Sequence, residues 1–279
     1  MVTRRSVLSA LAGTAAALSA PGILRAQSPK TVRFGEIFPK AHPYYKGLAK
    51  FAEEVGARTK GAVKVETFSD GQLGGEVAMM QGMRTGTIDG GIIGAGTFAL
   101  TTNQRKFFIM EMPYLFGGYD QYEKWAESDL ADEMRAGIAE KAGVRILAFG
   151  GAGFLHILNS KRPIVRPADL KGLKMRVWDS RSAQLSFELV GMTATTMPYA
   201  EVFSSLQQGV IDGLVSSVST FHQTKVYEVA KYVSLSAQLY GCMPLVMSER
   251  AFQSFGKPEQ AALLAGAKAA TKYWRELYP

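Results

Sequence analysis

Side chains able to do chemistry are few in this sequence and poorly spaced for it. His42, His156 and His222 stand far apart, without the short spacing of a metal-binding pair. Cys242 is the single cysteine; beside Met243 in an apolar setting it reads as a buried thiol with no disulfide partner and no co-ligands for a metal. No Gly-X-Ser-X-Gly elbow occurs. Carboxylates pair only when distant ones, such as Asp179 and Glu201, are picked at will. The glycines of Ser69–Gly75 invite a phosphate-loop reading, but no Gly-Lys-Ser/Thr follows them. Nothing here positively asks for an enzyme, a metal or a cofactor.

One residue type is out of place in its setting. In Lys174-Met175-Arg176-Val177-Trp178-Asp179-Ser180, strand-like alternation sets an arginine between two apolar neighbours. A guanidinium inside an apolar strand is costly unless an anion meets it. The anion is either an internal Asp or Glu, or the carboxylate of a ligand, and the strand alone leaves both open.

The elements around this strand read as α/β. Thr31–Ile37 alternates as a strand and runs into the turn-rich Pro39–Pro43. A helix with Leu48, Phe51 and Val55 on one face follows, then the strand Val63–Thr67, so a parallel unit is expected. A second helix is predicted from about Glu76 to Thr85. Gly-X-Ile-Asp-Gly then occurs at Gly86–Gly90 and again at Gly209–Gly213, each time after a helix and before a short apolar strand, as two similar lobes would require. Arg145–Phe149 predicts another strand. The flexible run Gly150–Gly153 marks the expected crossing between lobes, with lobe 1 at 27–152, lobe 2 at 153–240, and 241–279 returning to lobe 1. Ligands of open α/β sheets gather at the carboxyl ends of strands. Trp178, the hydroxyl-rich loop Ser216–Thr220 and the loop Gly94–Thr97 occupy such ends. The candidate ligand-binding set is Arg176, Trp178, Ser216 and Thr97, with His42 from the turn after the first strand.

Composition fits a folded, exported chain. Of 279 residues, 47% are apolar and 20% charged, which describes a globular protein with room for one large domain or two smaller ones. Arg4 and Arg5 precede a mildly apolar run from Leu8 to Ala20 and the exit Pro21–Ala26: a twin-arginine-like export signal at 1–26, expected to be cleaved after Ala26. The run is too short to span a membrane. Removing Arg4, Arg5 and Arg25 lowers the formal charge from +8 to about +5. The remaining basic residues are scattered, so nucleic acid is not an expected partner.

From Val32 to Met247 the chain resembles the extracytoplasmic solute-binding proteins of tripartite ATP-independent periplasmic (TRAP) transporters, the DctP-like family. The stretches that carry the resemblance are Phe68–Gly74, Met112–Phe116, Asn159–Pro163, Asp169–Val177, Met197–Phe203, Leu206–Gly213 and Val226–Val233, in the family's order. The resemblance implies a two-lobed periplasmic binding protein fold with a ligand cleft between the lobes. It also implies a small organic acid as ligand, membrane permease subunits as partners, a periplasmic location and, as expected here, a monomer. Arg176 takes the place of the arginine that pairs with the ligand carboxylate, and Tyr199 that of an aromatic residue lining the cleft. The alternatives are an enzyme for a small carboxylic acid on a similar scaffold, and a receptor presenting its ligand to a sensor kinase.

Three departures from the family pattern sharpen the expectation. Many relatives carry a second cleft arginine where this chain has Leu155, and an amide where it has Ser216. Both changes argue for a less polar ligand, a monocarboxylate with an apolar tail. Relatives also continue several tens of residues beyond the equivalent of Pro279, with helices that brace the second lobe; this sequence is a truncated product, a partial sequence or a shorter variant, and truncation would leave part of that lobe's apolar surface uncovered.

Overall fold

The alternation of β1 (Lys30–Gly35) buries Val32 and Phe34 and leaves Thr31 and Arg33 outside. A computed structural model describes residues 28–278 and extends this strand into an eight-stranded mixed sheet. The export signal at 1–26 lies outside the described residues. The remaining strands are β2 (Val63–Phe68), β3 (Gly90–Ile92), β4 (Val144–Asn159), β5 (Lys174–Val177), β6 (Thr193–Thr196), β7 (Gly213–Ser216) and β8 (Tyr232–Ser248). Their order across the sheet is β2-β1-β3-β8-β4-β7-β5-β6.

That order is nearly a palindrome. On one side β1 lies between its parallel partners β2 and β3; on the other, β5 lies between β6 and β7, also parallel. The long strands β8 and β4 pair antiparallel with each other down the middle, β8 also with β3 and β4 also with β7. Helices cover the sheet on each side, giving buried clusters centred on Phe51, Phe98, Leu214 and Met175. A chain of this length thus builds two similar halves joined through two long strands.

The repeated Gly-X-Ile-Asp-Gly does the same work in both halves. Asp89 Oδ2 accepts the backbone N–H of Arg33 at 2.8 Å, and Asp212 Oδ2 accepts that of Lys174 at 2.8 Å. Each aspartate also donates its own N–H to the carbonyl of that same residue. The preceding glycines, Gly86 and Gly209, sit at φ 78° and 72°, where a side chain would be strained. The motif therefore fixes where the third strand of each half meets the first.

Several expectations are corrected. Gly150–Gly153 is not a break between strands but part of β4, which continues through it with a bulge between Gly151 and Phe154, opposite Cys242 and Tyr240. The Gly94–Thr97 segment is a loop only at Gly94; Ala95–Thr102 is helical. Ser216–Thr220 likewise ends β7 and enters the helix Val218–Gln223, capped by Ser217, whose hydroxyl accepts the Thr220 N–H. The terminal helix Lys257–Glu276 packs on the first half through Trp274, which is fully buried, hydrogen-bonds Gly151 O at 3.0 Å and fits only because Gly47 and Gly150 lack side chains. Val165, Leu189 and Leu235 of the second half are 89%, 85% and 73% exposed.

Asp212 is the sharper test of the strand clamp, because it is only 4% exposed. Asp212→Ala leaves the Lys174 N–H without its acceptor and is expected to cost about 1–3 kcal/mol in urea unfolding. Asp212→Asn keeps an acceptor and should retain most of that stability. An unchanged Asp212→Ala midpoint would contradict the clamp.

Candidate functional site

A cavity of about 440 Å³ lies between the two halves. From the first half it is walled by the turn after β1 and by the start of the helix Glu76–Thr85. The second half contributes the ends of β5 and β7 and the segment Pro198–Ala200. Most of the wall is apolar, including Phe38, Leu155, Val215 and Met243.

Arg176 enters from β5, between β6 and β7. It is only 7% exposed. Its Nε donates to Met197 O at 3.1 Å, and the guanidinium lies 5.3 Å from the centroid of the Tyr199 ring. Tyr199 is held in turn by a 2.9 Å hydrogen bond to Thr224 Oγ1. Among the described residues Arg176 makes no salt bridge. Burial pushes its pKa down, and the negative potentials of Tyr199, Glu76 and Asp179 oppose that. Four carboxylates also line the cavity, Asp70, Glu76, Glu111 and Asp179, but no other cationic side chain does so among the described residues.

Of the six residues picked from the sequence, Arg176, Trp178, Tyr199 and Ser216 line the cavity together. Thr97 and His42 do not. Thr97 is fully buried in the first turn of the helix Ala95–Thr102, behind the cavity-lining Glu76, whose charged form its hydroxyl favours. His42 is also fully buried and caps the helix Pro43–Arg58: its Nδ1 accepts the Tyr44 N–H at 3.3 Å. The ring hydrogen is therefore on Nε2 and is donated across the cleft to Thr220 Oγ1 at 3.0 Å. Since Thr220 lines the cavity, His42 acts one layer behind the wall.

Sequence reasoning missed the acidic members. Glu76 opens its helix and accepts the Gly94 N–H at 3.2 Å; burial pushes its pKa up. Glu111 closes the 3₁₀ turn Arg105–Glu111 in an apolar stretch, and burial pushes it up as well. The signal that exposed Arg176, a lone charge among apolar residues, was present at Glu111 too. Among the described residues no cluster of three or more His, Cys, Asp or Glu is placed to hold a metal ion. What the arrangement offers chemically is one cation, aromatic and aliphatic walls, and hydroxyl and carboxylate acceptors around an enclosed volume.

Comparisons with known proteins converge on one description. A family model for "bacterial extracellular solute-binding protein, family 7" (DctP) matches residues 34–279. The 2,3-diketo-L-gulonate-binding periplasmic protein YiaO of Escherichia coli is 32% identical over 273 residues, covering 98% of this chain and 81% of that protein. The sugar acid binding protein DctPAm of Advenella mimigardefordensis, in complex with galactonate, superposes with a TM-score of 0.85 at 26% identity, over 89% of this chain and 79% of that one. A TRAP periplasmic solute-binding protein of Bordetella bronchispeptica, with density attributed to pantoate, also gives 0.85, at 29% identity over 89% and 81%.

Burial lowers the His42 pKa from 6.5 to about 3. The unfolded chain takes up this proton below about pH 6.5 while the folded chain refuses it until about pH 3. Stability is therefore lost as pH falls through that window, by at most about 1.4 kcal/mol per pH unit. Glu36, Glu76 and Glu111, raised by burial, act with the opposite sign and lose stability as pH rises. Comparing the wild type with His42→Asn, which keeps a helix-capping side chain, isolates the histidine. Urea unfolding should show the variant losing less stability than the wild type between pH 6.5 and 4.5; equal slopes would contradict this.

Proposed function

Because the chain belongs to the DctP family of bacterial extracellular solute-binding proteins, we propose that Arg176 is the anchor with which it captures a small organic acid bearing a single carboxylate. The protein is a periplasmic solute-binding component of a TRAP transporter and not an enzyme. The finer reading concerns the site, the ligand and the partner.

The observation that carries it is the charge inventory of the cavity: one buried guanidinium without an ion pair, in a lining that also holds four carboxylates. A planar fork of donors matches a carboxylate bidentately. A second ligand carboxylate would meet carboxylates, because Leu155 stands where a second arginine would be needed. The apolar walls suit a carbon chain, and Ser216, Thr220 and Glu76 suit ligand hydroxyls. Hydroxylated monocarboxylates of the kind found with the relatives, galactonate and pantoate, fit that pattern. Ligand bound between the halves favours their closure, since it binds the closed state better than the open one. The closed protein then hands its cargo to membrane permease subunits as a monomer. The bulge at Gly151–Phe154 opposite Tyr240–Cys242 supports lobes of 27–152 with 241–279, and 153–240.

A thermal-shift screen and titration calorimetry against galactonate, pantoate and succinate test the ligand class. The two monocarboxylates are expected to bind at least about 10-fold more tightly than succinate; a tighter succinate complex overturns the single-carboxylate reading. Arg176→Ala should weaken the better monocarboxylate by about 100-fold or more, and Arg176→Lys by less, because an ammonium keeps the charge although it cannot form the bidentate pair. Arg176→Met should abolish binding yet raise the melting temperature without ligand, since it removes a desolvated charge that has no partner. Retained carboxylate affinity in Arg176→Ala would refute the anchor.

A further inference from the structure

Glu111 belongs to the first half of the molecule, but its carboxylate is bonded to the second. It is 7% exposed. Its Oε1 accepts the indole N–H of Trp178 at 2.5 Å, and its Oε2 accepts the hydroxyls of Ser180 and Ser182. These three donors lie 67 to 71 residues further along the chain, at the end of β5 and the start of the helix Arg181–Leu189. Behind the carboxylate the backbone of Gly96 approaches so closely that a Cβ there would collide with it. Glu111 is thus pressed against its own half and bonded to the other.

The hydrogen count favours this one direction of bonding. An ionised carboxylate only accepts, and each serine has one hydroxyl hydrogen to give. The Oγ atoms of Ser180 and Ser182 are 2.9 Å apart, so a serine donating to its neighbour would forfeit its bond to Glu111. Ser180 also caps its helix, accepting the Ala183 N–H at 3.3 Å, which leaves its hydrogen for the glutamate. Burial pushes the Glu111 pKa up, while Ser180, Ser182, Trp178 and the Gly96 N–H oppose that by hydrogen bonding to the charged form.

Trp178 ties this cluster to the cavity, because its ring lines the ligand space. Separating the halves would strip Glu111 of all three donors and release the indole at the same moment. We propose that Glu111 is an interlobe latch and the positioning residue for Trp178, so that closure of the cleft and placement of the Trp178 ring against the ligand are one event. The proposal rests on the two-lobed binding-protein reading but not on Arg176 as anchor. It assigns the closed state a stabilising contact that touches no ligand carboxylate.

The test reads the interlobe distance directly. Spin labels are placed at Gln121→Cys and Glu188→Cys, exposed positions on helices of the first and second halves. Cys242 does not compete for label, since it is buried and its thiol pKa is pushed up to about 12. Double electron–electron resonance on full-length protein, with and without galactonate, compares the labelled parent with Glu111→Ala, Glu111→Gln and Ser182→Ala. The latch predicts a shift of Glu111→Ala to longer distances under both conditions and a galactonate off-rate raised about 10-fold or more. Glu111→Gln, which keeps one acceptor oxygen for the indole, should lie in between. Superimposable distributions for parent and Glu111→Ala would overturn the proposal. If Glu111→Ala does not fold, Ser182→Ala decides: it removes one donor and leaves the helix cap intact, and an unshifted distribution there overturns the latch equally. Galactonate failing to move the parent distribution would count against the ligand class proposed above, while the comparison between parent and variants would still decide the latch.

Discussion

A guanidinium buried in a strand, with no carboxylate in salt-bridge reach among the described residues, is the constraint on which the rest of this molecule depends. Desolvating a charge without pairing it is expensive, and folds keep such an arrangement where a partner arrives from outside. Here the Tyr199 ring and the Met197 carbonyl orient the guanidinium without neutralising it. This arrangement is what the anchor role proposed for Arg176 requires, at a cost in stability.

The near-palindromic sheet explains how such a site can be both rigid and openable. Each half carries its own three parallel strands and its own aspartate clamp, so each is braced from within. The halves share β4 and β8, whose pairing is interrupted by register shifts, one of them between Gly151 and Phe154. Among the described residues, hydrogen bonds cross between the halves at several points, including Tyr114 N–H to the Gln238 carbonyl at 2.9 Å. His42 meets Thr220 behind the cavity wall, and Glu111 meets Trp178, Ser180 and Ser182 near its rim. Each pairs buried groups whose partners are withdrawn together when the halves part, which suits a two-state rather than a gradual motion.

Much of this was legible in the sequence because it rests on local patterns. Alternation located β1, β2 and β5, and the twice-used Gly-X-Ile-Asp-Gly announced two similar halves, its aspartates repeating one backbone contact. Arg176, Trp178, Tyr199 and Ser216 were found through strand ends and family resemblance, and the structure gathers them around one cavity. Thr97 does not line the cavity because the segment read as a loop is already helical from Ala95, which buries the side chain. His42 failed more narrowly: it reaches the cavity only through Thr220, a contact 178 residues distant that no local pattern encodes. Gly150–Gly153 lies within β4, because glycine runs mark bulges inside long strands as well as loops between them. Glu76 and Glu111 were missed because a helix-opening glutamate is ordinary in sequence and because the lone-charge argument was applied to the cation alone.

The central claim, that Arg176 receives the ligand carboxylate, is tested most directly by a crystal structure of the protein with the tightest-binding monocarboxylate. The account predicts carboxylate oxygens at about 2.7–2.9 Å from the terminal guanidinium nitrogens, with the Tyr199 ring beside the pair and the carbon chain on the apolar wall. A carboxylate seated elsewhere in the cavity, with Arg176 left to Met197 and Tyr199, would contradict it.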